Sequence, residues 1–338
     1  MTGAAEFARP GAPRVGVVGA GGLGVHHVRI LRDLCGDRFA GFHDENPARA
    51  REVGAQLRVH AFPSLERLLD EVDAVSIVVP TTAHHAVARA ALAKGRHLFV
   101  EKPFTATLDE ADDLLARTAM AGVVLQVGHV ERFNRAVRAA MPYVDGPRFI
   151  ESDRLAPFNP RGSDVAVVLD LMIHDLDLVR TLVGSPVADV QAMGIAVLTP
   201  QVDIANARLT FANGAVANIT ASRVSRERVR KLRLFQQSGY LSLDLAGGTG
   251  ELFRMRQDLD PRLLARAPRA LEDFVERVPL EAPDAEPLVL ELSQFLGAIT
   301  GRHPVAVTGA EGRDALAAAL RVVSAIEQAT AGLRPSAP

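Results

Sequence analysis

Tryptophan is absent from this chain of 338 residues, tyrosine occurs twice, and Cys35 is the single cysteine. One cysteine can form neither an internal disulfide nor a thiolate metal cage. His26-His27 and His84-His85 are adjacent pairs that point to different sides of an element, and no third or fourth ligand has suitable spacing. No metal is therefore expected. So few aromatics leave little material for stacking nucleic-acid bases. Charge of one sign is lacking too: 38 Lys and Arg face 40 Asp and Glu, a net charge of -2. No broad field draws the chain to nucleic acid or an acidic membrane. No apolar run reaches the length of a membrane span. The start has no basic-then-apolar order of a signal peptide, so the cytoplasm is the default expectation.

With 48% hydrophobic and 23% charged residues, the composition is that of a soluble globular protein, and the length suits two domains. Met1–Pro13, small, polar and Pro/Gly-containing, reads as a disordered tail. From residue 14 to 128, short apolar runs alternate with helical patterns. Strands are expected at Arg14–Val18, Phe39–His43, Ala74–Val79, His97–Val100 and Val123–Val127. Helices are expected at Leu23–Leu34, Leu65–Val72, Ala83–Lys94 and Leu108–Ala121, the last stopping at Gly122. This alternation implies a doubly wound parallel α/β sheet.

From 129 to 338 the character changes to an α+β domain. A helix at Asp170–Val183 precedes β-branched alternation at Asp189–Val197, Ala205–Phe211, Ala215–Ser222, Lys231–Gln236 and Tyr240–Leu245. Asn213-Gly214 between two of these is a hairpin signal, so the sheet should be large, open and mostly antiparallel. Helices at Leu288–Ile299 and Glu311–Gln328 follow, and the last can pack back on the first domain.

Val17 to Gly24 reads Val-Val-Gly-Ala-Gly-Gly-Leu-Gly. Gly19 permits a tight turn out of a strand, Gly21 lets the backbone approach a pyrophosphate, and Gly24 lets helix and strand pack closely. The helix beginning there presents N–H groups and the positive end of its dipole to phosphates. Asp44 ends the next strand, 20 residues beyond Gly24, as the dinucleotide fingerprint requires. The competing reading is a glycine turn for packing alone, with Asp44 as a helix cap before Pro47. A carboxylate accepts from a ribose 2′-OH and repels a 2′-phosphate. The nearest arginine, Arg49, offers no obvious phosphate clamp, so the expected cofactor is NAD.

Two further groups can carry chemistry. Lys102, in Glu101-Lys102-Pro103, follows the fourth strand, at the edge where ligands of open parallel sheets sit. Pro103 fixes the backbone there and can take the cis form. Asp170 and His174 are four apart and share a helix face, where a carboxylate can orient an imidazole. Oxidising an alcohol needs a base for the hydroxyl proton while hydride leaves, and both Lys102 and His174 qualify. A surface lysine and a surface ion pair are the alternatives.

The order of glycine turn, Val79-Pro80-Thr81-Thr82 with His84-His85, Glu101-Lys102-Pro103, and Asp170-x-x-x-His174 resembles the Gfo/Idh/MocA oxidoreductases over nearly the whole chain. The resemblance implies that Lys102, Asp170 and His174 surround the substrate carbon. It extends the cofactor contacts to Gly22, Leu23, Pro80, Thr81, His84, Glu101 and Lys102. It also implies a homodimer or homotetramer formed through the second-domain sheet. Gln126–Asn134, Ser222–Arg226 and Lys231–Phe235 are similar to the branch acting on nucleotide sugars. That implies oxidation at C3 of UDP-N-acetylglucosamine, making a 3-keto sugar for aminated lipid A. A diphosphate needs cationic donors. Arg132, Arg154, Arg161, Arg223, Arg226 and Arg228 are candidates, with Arg132, Arg154, His129, Asn134 and His174 taken as substrate contacts. Another sugar, an inositol or a UDP-hexuronic acid remains open as substrate. Retention of the cofactor between substrates, and a non-catalytic NAD-binding regulator, remain open as modes of action.

Overall fold

The computed structural model describes residues 7–9, 11–159, 165–256 and 274–331. The chain divides into two compact units. One is Met1–Val130 with Ala285–Leu316, and the other is Glu131–Asp284 with Ala317–Pro338.

In the first unit, β1 (Val15–Val18), β2 (Phe39–His43), β3 (Ala74–Ile77), β4 (His97–Glu101) and β5 (Leu125–Gly128) form a parallel sheet in the order β2-β1-β3-β4-β5. Every residue of β1 and β3 is buried, as strands covered on both faces require. The helices are α1 (Gly24–Cys35), α2 (Pro47–Leu57), α3 (Leu65–Glu71), α4 (Thr81–Ala93) and α5 (Leu108–Ala121). α5 starts at a capping box of Thr107 and Glu110 and stops at Gly122, which takes the left-handed conformation at φ 63°. α2 escaped the sequence reading, because most of its apolar residues are small alanines. Its start is set by Asn46, whose side chain accepts from the N–H groups of Ala48 and Arg49, followed by Pro47.

Leu292, Phe295 and Leu296 of the helix Pro287–Ile299 join Val15, Phe42 and Phe99 in this unit's core. Phe7 is buried in the same core with the Arg302 guanidinium 5.0 Å above its ring, and Ala12 is buried as well. This part of the expected tail is therefore packed, because burying a phenyl ring stabilises by roughly 2 kcal/mol. Residues 1–6 and Pro10 lie outside the described residues. Burial pushes the Cys35 thiol up to about 12, which leaves it unreactive at neutral pH.

The second unit contains α6 (Arg135–Ala140), β6 (Phe149–Leu155) and a π-helical turn, Val168–Met172, that runs into α7 (Ile173–Val183). Then come β7 (Val187–Ile195), β8 (Ile204–Phe211), β9 (Val216–Ser222), β10 (Val229–Gln236), β11 (Gly239–Asp244), β12 (Thr249–Met255) and β13 (Val275–Leu280). Eight strands pair in the order β13-β12-β11-β10-β6-β9-β8-β7. Only the β6–β9 pair is parallel. Gly214, at φ 82°, makes the β8–β9 turn, and the Asn213 side chain accepts from the N–H of Ala215. Leu176 and Val179 of α7 share a core with Ile150, Leu209, Ile219, Leu232 and Leu241 of the sheet. After α8 (Pro287–Ile299), α9 (Gly309–Ala331) contributes Ala319, Val322 and Ile326 to that core.

Candidate active site

Because the five strands of the first unit are parallel, their carboxyl ends share one edge. Gly19–Gly24 follow β1, Asp44 follows β2, Pro80 and Thr81 follow β3, Glu101 closes β4, and His129 follows β5. Three glycines of the turn do three different things. Gly19 has φ 89°, and a Cβ there would lie 2.5 Å from the Val78 carbonyl oxygen. A Cβ on Gly24 would lie 2.1 Å from the Gly19 oxygen, so the start of α1 packs directly on the turn. A Cβ on Gly21 would meet nothing within 4 Å, which leaves its backbone open to a ligand. α1 begins with exposed Leu23 at its N-cap, without a side-chain cap and without an acidic residue in its first turn. An uncompensated helix N-terminus beside an open glycine fits a pyrophosphate.

Asp44 is tied into the same turn. Its carboxylate accepts from Ala20 N–H at 2.7 Å and Asn46 N–H at 2.9 Å. The α2 cap is therefore Asn46, and Asp44 stands beside the turn, where a ribose acid belongs. Arg49 donates to the Ala20 oxygen at 2.7 Å and to Glu52 at 2.9 Å. Both polar atoms of the Ala20 backbone are thereby held, the N–H from the β2–α2 connection and the oxygen from α2.

Lys102 is half-buried, and its peptide bond to Pro103 is cis. Two buried histidines flank this segment. His27 on α1 lies 2.9 Å from Ser76 Oγ and 3.2 Å from Glu101 Oε1, and Glu101 accepts from the Lys102 N–H at 3.2 Å. Burial opposes ionisation of Glu101, but His27 and Lys102 beside it outweigh that and hold it below the usual carboxylate range. A Cβ on Gly128 would lie 2.9 Å from the Glu101 carboxyl carbon, so glycine makes room for that group. His84 on α4 sets one ring nitrogen against the Val79 oxygen at 2.9 Å and the other against the oxygens of Pro103 at 2.9 Å and Phe104 at 3.3 Å. Burial pushes its pKa down, against the pull of those carbonyls. The ring of His84 bridges the Val79 oxygen at the end of β3 and the Pro103 and Phe104 oxygens, a neutral ring donating to one side only, and the residue braces the Lys102 segment.

In the second unit, Asp170 lies within the π-turn and His174 in the first turn of α7, both half-exposed, while the neighbouring Asp175 and Asp177 are buried. π-turns recur at functional sites. Asp175 accepts from Arg154 Nε at 2.6 Å and from Ser152 Oγ at 3.0 Å. Arg154 also reaches Glu131 at 2.9 Å, and Arg230 reaches the same carboxylate at 3.2 Å. Burial works against the charge of Arg154, and its two carboxylate partners more than restore it. Arg132 pairs through two nitrogens with Asp177 at 2.6 and 2.7 Å. Asn134 caps α6 through Ala136 N–H and gives its amide hydrogens to Glu131 and the Leu245 oxygen.

Arg132, Arg154 and Asn134, expected to meet substrate, each hold partners within the protein. Arg132–Asp177, Arg154–Glu131 and Asn134–Leu245 join residues 23 to 111 apart, pairings that no local pattern displays. Arg223 is likewise buried, with Nε 3.9 Å from Asp203 and NH2 on the Val165 oxygen. Arg161 lies outside the described residues, and His129 is buried at the end of β5. Sequence reasoning missed His27, Ser76, Glu131 and Asp177 as partners. Ser76 within an otherwise apolar strand was the one available signal.

Two sets of variants test these assignments. Gly21→Ala should unfold like the parent, within about 0.5 kcal/mol, because its Cβ enters open space. Its dinucleotide affinity, read by calorimetry, should fall. Gly24→Ala should lose about 1–3 kcal/mol of stability from backbone overlap. Equal effects of the two on both readouts would contradict the division of labour. Arg154→Met should cost about 3–5 kcal/mol in urea unfolding by stranding Asp175 and Glu131. Full stability in that variant would restore Arg154 as a ligand-facing group.

Comparison with known proteins agrees with this geometry. Residues 13–129 match the family model described as "Oxidoreductase family, NAD-binding Rossmann fold", and residues 135–242 match "GFO/IDH/MocA C-terminal domain". The chain is 42% identical over 315 residues to UDP-N-acetylglucosamine 3-dehydrogenase of Acidithiobacillus ferrooxidans, covering 93% of this chain and 97% of that one. A solved structure of that enzyme superposes with a TM-score of 0.86 over 94% of this chain and 98% of its own. Myo-inositol 2-dehydrogenase of Thermotoga maritima is 27% identical, covering 90% and 93% of the two chains. This chain belongs to the Gfo/Idh/MocA oxidoreductase family.

Proposed function

We propose that this protein is an NAD-dependent dehydrogenase that oxidises the C3 hydroxyl of UDP-N-acetylglucosamine to a ketone. The observation that carries the reading is the 42% identity to the Acidithiobacillus enzyme over 93% of the chain. Identity to the inositol dehydrogenase is lower, at 27%.

The glycine turn receives the pyrophosphate of NAD at Gly21, and Asp44 accepts from the adenosine ribose. NAD, when bound, supplies the hydride acceptor. Lys102 and His174 are the two candidates for the base that takes the hydroxyl proton as the C3 hydride leaves. Asp170 orients His174 or a sugar hydroxyl. With Arg132, Arg154 and Arg223 committed elsewhere, the exposed Arg226 and Arg228 between β9 and β10 are the candidates for the UDP diphosphate. The 3-keto product is the carbonyl that an amination step of lipid A assembly would take up.

Oligomer formation through the second-unit sheet is part of the same proposal. Directly opposed residues Phe149, Phe235, Tyr240 and Phe253 form a row across four strands, with ring centroids 4.7 to 5.6 Å apart. They alternate with the core residues Ile150, Leu234, Leu241 and Leu252, so they lie on the opposite face. This apolar row is suited to a second copy of the chain.

Purified protein should reduce NAD with UDP-N-acetylglucosamine, and reduce NADP poorly because of Asp44. Lys102→Ala and His174→Ala should each lose roughly 10²–10⁴ in rate, the larger loss marking the base. NADH absorbance across a panel of UDP-sugars and inositols reads both. No turnover with any UDP-sugar, or full activity of both variants, would overturn the proposal.

A further inference from the structure

His27 and Ser76 have no exposed surface, so neither meets a substrate. Yet they form a polar chain that ends at Lys102. His27 Nε2 lies 3.2 Å from Glu101 Oε1, an ion-pair distance without the alignment of a hydrogen bond. Nδ1 and the Ser76 hydroxyl share a hydrogen bond at 2.9 Å. The ring is thus held from β3, with Nε2 beside the carboxylate at the end of β4. Glu101 turns its other oxygen to the Lys102 N–H at 3.2 Å, and glycine at 128 leaves space for the carboxylate. Three apolar side chains would fill this interior at lower cost than an imidazole, a hydroxyl and a carboxylate. What the polar chain supplies is a fixed position for the segment that follows Glu101.

We infer that His27 is a positioning residue for Lys102, acting through Glu101; the inference rests on the dehydrogenase reading above. The titratable groups that face Glu101 are His27 on α1, His84 on α4 and Lys102 itself. Ser76 sets the ring, His27 sets the carboxylate, and the carboxylate sets the backbone of Lys102.

The test compares His27→Leu, His27→Gln and Ser76→Ala with the parent. NAD affinity is read by calorimetry, stability by thermal unfolding, and kcat and KM with UDP-N-acetylglucosamine. A fourth readout is the pH dependence of Lys102 acetylation by an N-hydroxysuccinimide ester, followed by peptide mass spectrometry. His27→Leu should bind NAD as the parent does while kcat falls roughly 100-fold, the scale of a displaced reacting group. His27→Gln, which keeps a donor toward Glu101, should recover most of that loss. The Lys102 labelling midpoint should move to lower pH in His27→Leu, because a buried Glu101 without its partner takes up a proton and stops favouring the charged lysine.

An unchanged kcat with an unmoved labelling midpoint would overturn the inference. So would a parallel loss of kcat, NAD affinity and stability that His27→Gln does not recover, since that marks a packing role. If His27→Leu does not fold, Ser76→Ala carries the same readouts in milder form. If the parent turns over no UDP-sugar, the UDP-sugar reading fails by itself, and the Lys102 labelling still decides the role of His27.

Discussion

A carboxylate taken out of water must find compensating partners, or it costs several kcal/mol. Each unit of this protein contains such a carboxylate immediately beside a residue assigned to chemistry. Glu101 precedes Lys102 and is compensated by His27. Asp175 follows His174 and is compensated by Arg154 and Ser152. The compensation demands particular partners at particular distances, so it fixes the backbone on either side more tightly than apolar packing alone. The half-exposed Lys102 and His174 are carried on segments whose neighbours are locked. In this way a side chain can be accessible and still oriented.

The glycine turn shows the complementary logic. Where Gly19 and Gly24 lie, backbone presses on backbone and a side chain is excluded by contact. At Gly21 nothing presses, and the space beside its backbone is open. The Ala20 backbone between them is held at its N–H by Asp44 and at its oxygen by Arg49. Asp44, the residue proposed for the ribose, therefore also fixes the loop proposed for the phosphates.

Much of this was legible in the sequence, and the reasons differ from place to place. The parallel sheet showed itself because its strands are apolar runs separated by helical periods. The turn and Asp44 stood out because glycine positions and a spacing of 20 residues are local facts. β6 was hidden because its inward positions include Ser152 and Arg154, so alternation of apolar and polar residues breaks down. β13 was hidden by Pro279, which a strand tolerates at a sheet edge, where β13 lies. The arginines misled for one reason. A guanidinium facing a diphosphate and one facing a buried carboxylate look alike until Glu131, Asp175 and Asp177 are brought to them by the fold. The π-turn at Asp170 has no sequence signature at all.

The proposed reaction turns on which bond to hydrogen breaks. Incubating the protein with NAD and UDP-N-acetylglucosamine deuterated at C3, then examining the reduced cofactor by mass spectrometry, addresses that directly. Deuterium on the NADH, with slower turnover than the unlabelled sugar, is the predicted result. NADH formed without deuterium, or no NADH at all, would contradict it.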